Sequence, residues 1–443
     1  MTGVDIVQSL LALAVCGGAF SALVSGWAAE ERRVAMYCWL AHMAGAFAII
    51  AVYTFYYGWG DMLHYFAHGR FLAAYVEYDP VRHFPDLLDL LFQRDTDFSL
   101  GIDGAGTSTG TMVAVGGLVG LLTRSSWAGS ALISTVAASG QACLWLGIRS
   151  LVPKERATTA LWTTFLVPSV VFWSSSLLKE AFALVGIGLV VFGAARLRAR
   201  ALPSAALLLG AGVYTIGLFK PYVLFPLSMS VGVYAYWDRA AARGGVQFRP
   251  ITLVGGAGVT LAALLVLGQL FPRYSVDTVA DSIEQQQTAS MSTRGGSDFR
   301  TAPSEERQGA AGLLVEAPYT IMTALIRPVI FESRSAMMLV NSLETSVVLY
   351  FIIMAFTRTG RLELARWVWR SPDILACVVF VLLFSLAVGL ATTNLGTLSR
   401  YRLPMMPFYF YIVFSAYRLP AVVRARRRRA STVTGAMPAT DGS

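Results

Sequence analysis

The sequence predicts an all-α polytopic integral membrane protein, and three observations carry that reading. Hydrophobic residues fill 56% of the 443 positions and charged residues only 14%, with a mean hydropathy of +0.59, outside the range of soluble globular domains. Apolar runs of about 17–25 residues recur, and roughly 20 helical residues cross a hydrocarbon core. Basic residues collect in alternate loops and in the tail Arg424, Arg426, Arg427, Arg428 and Arg429, as positive-inside orientation requires. The net charge of +9 therefore suits the cytoplasmic face of an anionic membrane and excludes nucleic-acid binding. Cys16, Cys38, Cys143 and Cys377 are scattered in apolar runs without ligand spacing, so they fix neither a metal nor a compartment.

Residues 4–28 form the first expected span. Met1-Thr2-Gly3-Val4-Asp5 carries no basic residue, so the segment is read as a retained span with its N-terminus outside, not as a signal peptide. Glu30-Glu31-Arg32-Arg33 makes a cytoplasmic turn, and the span 34–57 exits through Tyr53, Phe55, Tyr56, Tyr57 and Trp59, an interfacial aromatic cluster. Residues 58–107 are a long external loop with a helix over 61–78, a break at Asp79-Pro80 and a second amphipathic helix over 84–92. The Gly/Ser/Thr stretch 103–110 returns the chain to the membrane; no P-loop lysine follows it.

The apolar run 111–123 is too short to cross and is expected as a half-span or shallow helix. Spans follow at 126–148, at 157–173, from Leu177 to the basic run at Arg196, and at 203–219, 222–237 and 251–271. A second long external segment, 272–336, combines a polar part (282–308) with an amphipathic helix (313–331) at the outer interface. Spans at 337–356, 372–391 and 402–418 complete about eleven crossings, N-terminus outside and C-terminus cytoplasmic. The domain plan is a transmembrane helical domain over 1–423 and a basic disordered cytoplasmic tail over 424–443, with no soluble domain and no internal repeat.

On a helix, Asp61, His64, Tyr65 and His68 fall at i, i+3, i+4 and i+7 and share a face. The opposite face, with Met62, Leu63, Phe66 and Phe71, is greasy enough to lie on a bilayer. A carboxylate, two imidazoles and a phenol at a membrane boundary make a reactive surface; a merely solvated face is the alternative. Asp61 and His64 are the candidate catalytic residues. Eight basic residues fall on the external side against the charge rule: Arg70, Arg82, Lys179, Lys220, Arg327, Arg334, Arg400 and Arg402. Lys179 and Arg402 start apolar spans, where a charge is costly and marks a site or a partner. Snorkelling to headgroups is the alternative for each, as is, for Lys179 and Glu180, a structural pairing with each other or with another helix. Taken together they define a cationic pocket for a lipid-linked phosphate, with arginine as a fork and lysine as a point charge. In glycosyl transfer from such a lipid the phosphate leaves, cations stabilise its charge, and Asp61 takes the proton of the attacking hydroxyl. The proline-broken ends at Lys220-Pro221 and Arg402-Leu403-Pro404 open a groove for a polyprenyl chain. A metal on Asp61, His64 and His68 is geometrically conceivable, but no metal and no cofactor are expected.

The Asp61–Tyr65 stretch opening an external amphipathic helix resembles the catalytic loop of GT-C fold glycosyltransferases. So do Pro168-Ser169, Phe172-Trp173-Ser174 and Lys179-Glu180 in mid-chain, and Asn394-Leu395-Gly396, Arg400-Tyr401-Arg402, Pro404 and Pro407 near the end. The last two groups also resemble O-antigen and exopolysaccharide polymerases. The resemblance implies a transmembrane bundle with external juxtamembrane helices, in a bacterial inner membrane. It also implies a sugar donor on a polyprenyl phosphate or diphosphate, a glycan or lipid-linked acceptor, and Asp61 as base. Substrate contacts would come from Tyr65, His68, Arg70, Trp173, Lys179, Glu180, Lys220, Arg327, Arg334, Asn394, Arg400 and Arg402. The chain departs from the GT-C pattern in an extra first span, an unpaired Asp61 and the lack of a soluble C-terminal domain. A polymerase would shift the weight from Asp61 to Arg327, Arg334, Arg400 and Arg402. Two other functions stay open: a transporter or flippase of lipid-linked sugars, and a non-catalytic partner in polysaccharide assembly and export.

Overall fold

The computed structural model describes residues 3–94, 96, 101–102, 104–242, 310–392 and 394–434. Among these the chain is helical throughout, with no strand. Among the described residues seven helices are long and apolar enough to cross a membrane: Gly3–Leu23, Ala29–Tyr57, Ser126–Leu151, Lys179–Arg198, Leu202–Phe219, Ala336–Thr359 and Pro372–Ala391. The chain is an all-helical membrane protein.

In order, α1 (Gly3–Leu23) and α2 (Ala29–Ala51) lead through a π-helical turn, Val52–Tyr57, into α3 (Asp61–Tyr78) and α4 (Pro80–Leu91). Asp79 ends one helix and caps the next, its Oδ1 accepting from the Arg82 amide at 3.2 Å. The expected half-span is α5 (Ser108–Leu122), 15 residues long and mostly buried. After α6 (Ser126–Leu151), the expected crossing at 157–173 is two pieces, α7 (Lys154–Phe165) and α8 (Pro168–Trp173). Pro168 lacks the amide that would continue α7 and disfavours a helical residue before it. Next come α9 (Lys179–Arg198), α10 (Leu202–Phe219) and α11 (Leu224–Ala242). The expected span 251–271 and the polar segment 282–308 lie outside the described residues. The chain is described again from α12 (Ala310–Ile326), through α13 (Ala336–Thr359), α14 (Arg361–Arg370) and α15 (Pro372–Ala391), to the short α16 (Leu395–Tyr401) and α17 (Met406–Thr434). The last helix continues past residue 423, where the sequence reading ends the membrane domain; residues 435–443 are not described.

Close helix contact is set by small residues, as apolar lipid gives helices little hydrophobic reason to associate. The α6 and α9 backbones meet where Gly188 faces the Gly140 carbonyl, with no room for a Cβ. Likewise α3 lies on α5 with Gly69 against Gly116. That contact fixes the face of α3: Met62, Tyr65, Phe66, Gly69, Leu72, Ala73 and Val76 are buried as one helical stripe. Two expectations are corrected here. Met62 and Phe66 pack inward on the protein, not outward on lipid, and Tyr65 belongs to that stripe, not to the polar face. The helix expected at the outer interface over 313–331 is instead packed into the bundle as α12, with Thr320 against Gly389 of α15.

Chain direction separates two ends. Lys179 and Arg198, the first and last residues of the 20-residue α9, are about 30 Å apart at 1.5 Å per residue. Near Arg198 lie the ion pairs Glu31–Arg149, Arg156–Asp373 and Arg198–Asp238. Near Lys179 come together the end of α2, the starts of α3, α5 and α9, the end of α10 and the end of α16.

Candidate functional site

Glu180 is the centre of this second end. It sits in the first turn of α9, where the helix dipole favours a negative charge, and it is fully buried. Its Oε1 accepts from Lys220 Nζ and from Arg400 Nε, both at 2.9 Å, while its Oε2 has no partner. Lys220 is placed by the α10 terminus, which Pro221 closes. Its ammonium lies 5.0 Å from the centre of the Tyr401 ring, a cation–π distance. Arg400 is delivered by α16, whose N-cap is Asn394; its Oδ1 accepts from the Gly396 amide at 2.8 Å and the Thr397 amide at 3.4 Å.

The same guanidinium reaches outward: Arg400 Nη2 donates to Asp61 Oδ2 at 2.6 Å. Asp61 opens α3 after Gly60, whose φ of +130° is open to glycine and whose missing Cβ leaves room for the Tyr53 ring. Its side chain is 48% exposed, against 14% for Arg400 and 0% for Glu180, so it is the member that meets water. The Arg400 guanidinium holds the Asp61 carboxyl below the usual carboxylate range, which keeps it ionised at neutral pH. Lys179 completes the group, its Nζ donating to Ser108 Oγ at 2.9 Å and Thr109 Oγ1 at 3.2 Å in the first turn of α5. Three cations thus surround two carboxylates, drawn from four stretches of sequence.

The other expected site residues divide. His64 stacks on His68 with ring centres 4.2 Å apart, and its Nε2 is buried without a partner. His68 and Arg70 are exposed; Tyr65 is buried beneath them, its hydroxyl against Thr109. Trp173 is buried and packs edge-on to Phe172 at 5.1 Å. Arg327 pairs with Glu332 and Arg334 is exposed beyond it. Arg402, 2% exposed, donates to the Arg327 carbonyl at 2.8 Å, Thr345 Oγ1 at 2.8 Å and the Ala324 carbonyl at 3.4 Å.

Several expectations therefore change. Lys179 and Glu180 do not pair with each other; of the two expected pairings, Glu180 makes the one to other elements, with Lys220 and Arg400. Asp61 meets Arg400 and not Arg402. Asn394 holds a helix terminus rather than facing a ligand. Ser108 and Thr109 belong to the stretch 103–110 that the sequence presents only as a return to the membrane; their signal is two hydroxyls after a glycine-rich turn that opens an apolar helix. Among the described residues no three His, Cys, Asp or Glu side chains converge to hold a metal ion. Comparison of the chain with protein-family models, with curated proteins and with solved structures gives no match.

Proposed function

We propose that the protein is a membrane glycosyltransferase or polysaccharide polymerase of GT-C type, with about eleven crossings. It moves sugar units from a polyprenyl phosphate or diphosphate donor on the outer face of a bacterial inner membrane, during cell-envelope polysaccharide synthesis. The observation that carries the reading is the double use of Arg400, which bridges half-exposed Asp61 to buried Glu180.

While paired, Asp61 is a weak base, because Arg400 stabilises its ionised form. A donor phosphate that draws Arg400 to itself removes that stabilisation and makes the carboxylate more basic where the acceptor arrives. The acceptor hydroxyl gives its proton to Asp61 as its oxygen bonds to the anomeric carbon. The bond from that carbon to the phosphate oxygen breaks, and its electron pair stays on the phosphate. Arg400 and Lys179 neutralise that charge. Glu180 and Lys220 position Arg400, and His64, one turn along α3 from Asp61, lies on the route by which the proton leaves.

The fully buried Glu180–Lys220 pair favours a second reading, a flippase of lipid-linked sugars, since transporters carry such pairs. Its place at helix ends, level with Asp61, favours the enzyme. The test is proteoliposomes loaded with a polyprenyl-linked sugar. Release of the polyprenyl phosphate with transfer of the sugar supports the enzyme, and its loss in Asp61→Asn supports the base. Movement of intact donor across the bilayer without cleavage supports the flippase and refutes the transferase.

A further inference from the structure

We infer a second ligand subsite where α8, α13 and the residue after α16 meet, shaped for the hydroxyl groups of a sugar. The inference rests on the reading of the chain as a sugar-transferring protein and supplies the acceptor's place.

Four buried polar atoms without a partner lie on these elements: Ser169 Oγ, Trp173 Nε1, Glu344 Oε1 and Arg402 Nε. Ser169 and Trp173 are one turn apart on α8 and share a face. The Ser169 amide donates to Glu344 Oε2 at 2.8 Å. The next residue on α13, Thr345, accepts from Arg402 Nη2 at 2.8 Å, and Glu344 acts electrostatically on Arg402. Buried polar groups normally find partners, and ionisable residues within apolar helices mark sites. Four unmet atoms on elements linked in this way point to a ligand.

The chemistry of that ligand follows from the donors and acceptors. Arg402 Nε and Trp173 Nε1 can only donate, ionised Glu344 Oε1 can only accept, and Ser169 Oγ does both. The charges of Glu344 and Arg402 cancel. A phosphate would be repelled by Glu344 and a cation by Arg402. A neutral group that donates and accepts at neighbouring atoms satisfies all four, and vicinal hydroxyls on a sugar ring are such a group. The last turn of α16 then separates two subsites: Arg400 serves the donor phosphate, and Arg402, two residues on, serves the acceptor.

The test uses the full chain in nanodiscs, labelled with ¹⁵N-tryptophan, with the indole resonance of Trp173 identified from Trp173→Phe. Methyl glycosides of glucose, galactose and mannose are titrated, with inorganic phosphate in parallel. A saturable shift of the Trp173 resonance with at least one glycoside is expected, and little shift with phosphate. Ser169→Ala should weaken the binding about fivefold, and Glu344→Gln should weaken it while keeping the side-chain volume. Equal shifts with phosphate, or no saturable shift with any glycoside, overturn the subsite and leave the four atoms to water. Loss of the shift alongside intact Asp61-dependent transfer would remove the subsite alone. A saturable shift in a protein that transfers no sugar would keep the subsite and remove the enzyme.

Discussion

Two charge networks hold the two ends of the bundle, and they differ in whether they are complete. At the Arg198 end Asp373 receives Arg156 through both oxygens, at 2.7 and 3.0 Å, and the Tyr411 hydroxyl at 2.5 Å. This joins α7, α15 and α17 with neither carboxylate oxygen left over. At the Lys179 end Glu180 takes two cations on one oxygen and nothing on the other, and Arg400 continues to a carboxylate that is half in water. A closed network is a bolt: its partners already satisfy one another, so a ligand gains nothing by entering. An open one with an excess cation and a wet carboxylate has affinity left to give. The difference separates structure from function without appeal to any relative.

Exchanging the carboxylates one at a time should therefore separate activity from stability. Asp61→Asn keeps size and hydrogen bonding but removes the base. Sugar transfer in proteoliposomes should fall by about 10²–10⁴, while the melting temperature in detergent moves little, because a half-exposed pair contributes at most about 1 kcal/mol. Asp373→Ala should do the reverse. It strands Arg156 and costs about 3 kcal/mol of stability, seen as a lower melting temperature, with the rate per folded molecule unchanged. If Asp373→Ala abolished transfer in folded protein, or Asp61→Asn left it intact, the distinction between bolt and site would fail.

The sequence supports the membrane class and the helix boundaries near strong signals, such as Asp79-Pro80 and Lys220-Pro221. Those features depend on local composition and backbone chemistry. It was less informative about which way a side chain faces. The inward stripe of α3 includes Gly69 and Ala73, which look neutral to any hydropathy pattern yet allow the closest approach to α5. Arg400 and Arg402 are two residues apart, and a helix turns about 200° over that interval. One therefore enters the charge cluster while the other binds carbonyls, and nothing in the string Ser-Arg-Tyr-Arg distinguishes them. Ser108 and Thr109 were hidden for a different reason: hydroxyls in a glycine-rich loop carry no periodic or charge signal, and their role comes from Lys179, 70 positions away.

A pH profile sharpens the contrast further. Asp61 is held below its ordinary pKa by Arg400, so its ionisation adds stability above the unfolded value, about 3.9. That stability is lost as pH falls through the depressed folded value. Arg400→Gln removes the main cause of the depression and leaves burial and Glu180, which oppose ionisation of Asp61, against Lys179 alone. The acid limb of the pH–rate profile should move to higher pH, and donor affinity should fall by about tenfold or more for the lost charge-assisted bond. An acid limb that stays in place would mean that another group, and not Asp61, accepts the proton.

The smallest effect is expected from Arg334→Ala, and it checks whether geometry or mere charge attracts the donor. Arg334 follows the short turn Ile330–Glu332 just before α13, and its side chain is exposed. Its removal subtracts the same unit charge as Arg400→Gln but takes nothing from the Glu180 cluster. Stability should stay within about 0.5 kcal/mol, and donor affinity at 0.15 M salt should change less than about twofold, because an exposed charge is screened beyond roughly 8 Å. A loss equal to that of Arg400→Gln would mean that this end of the bundle acts as a diffuse cationic surface. The open network would then be one charge among many rather than a pocket, and its contrast with the closed one would say nothing about where chemistry happens.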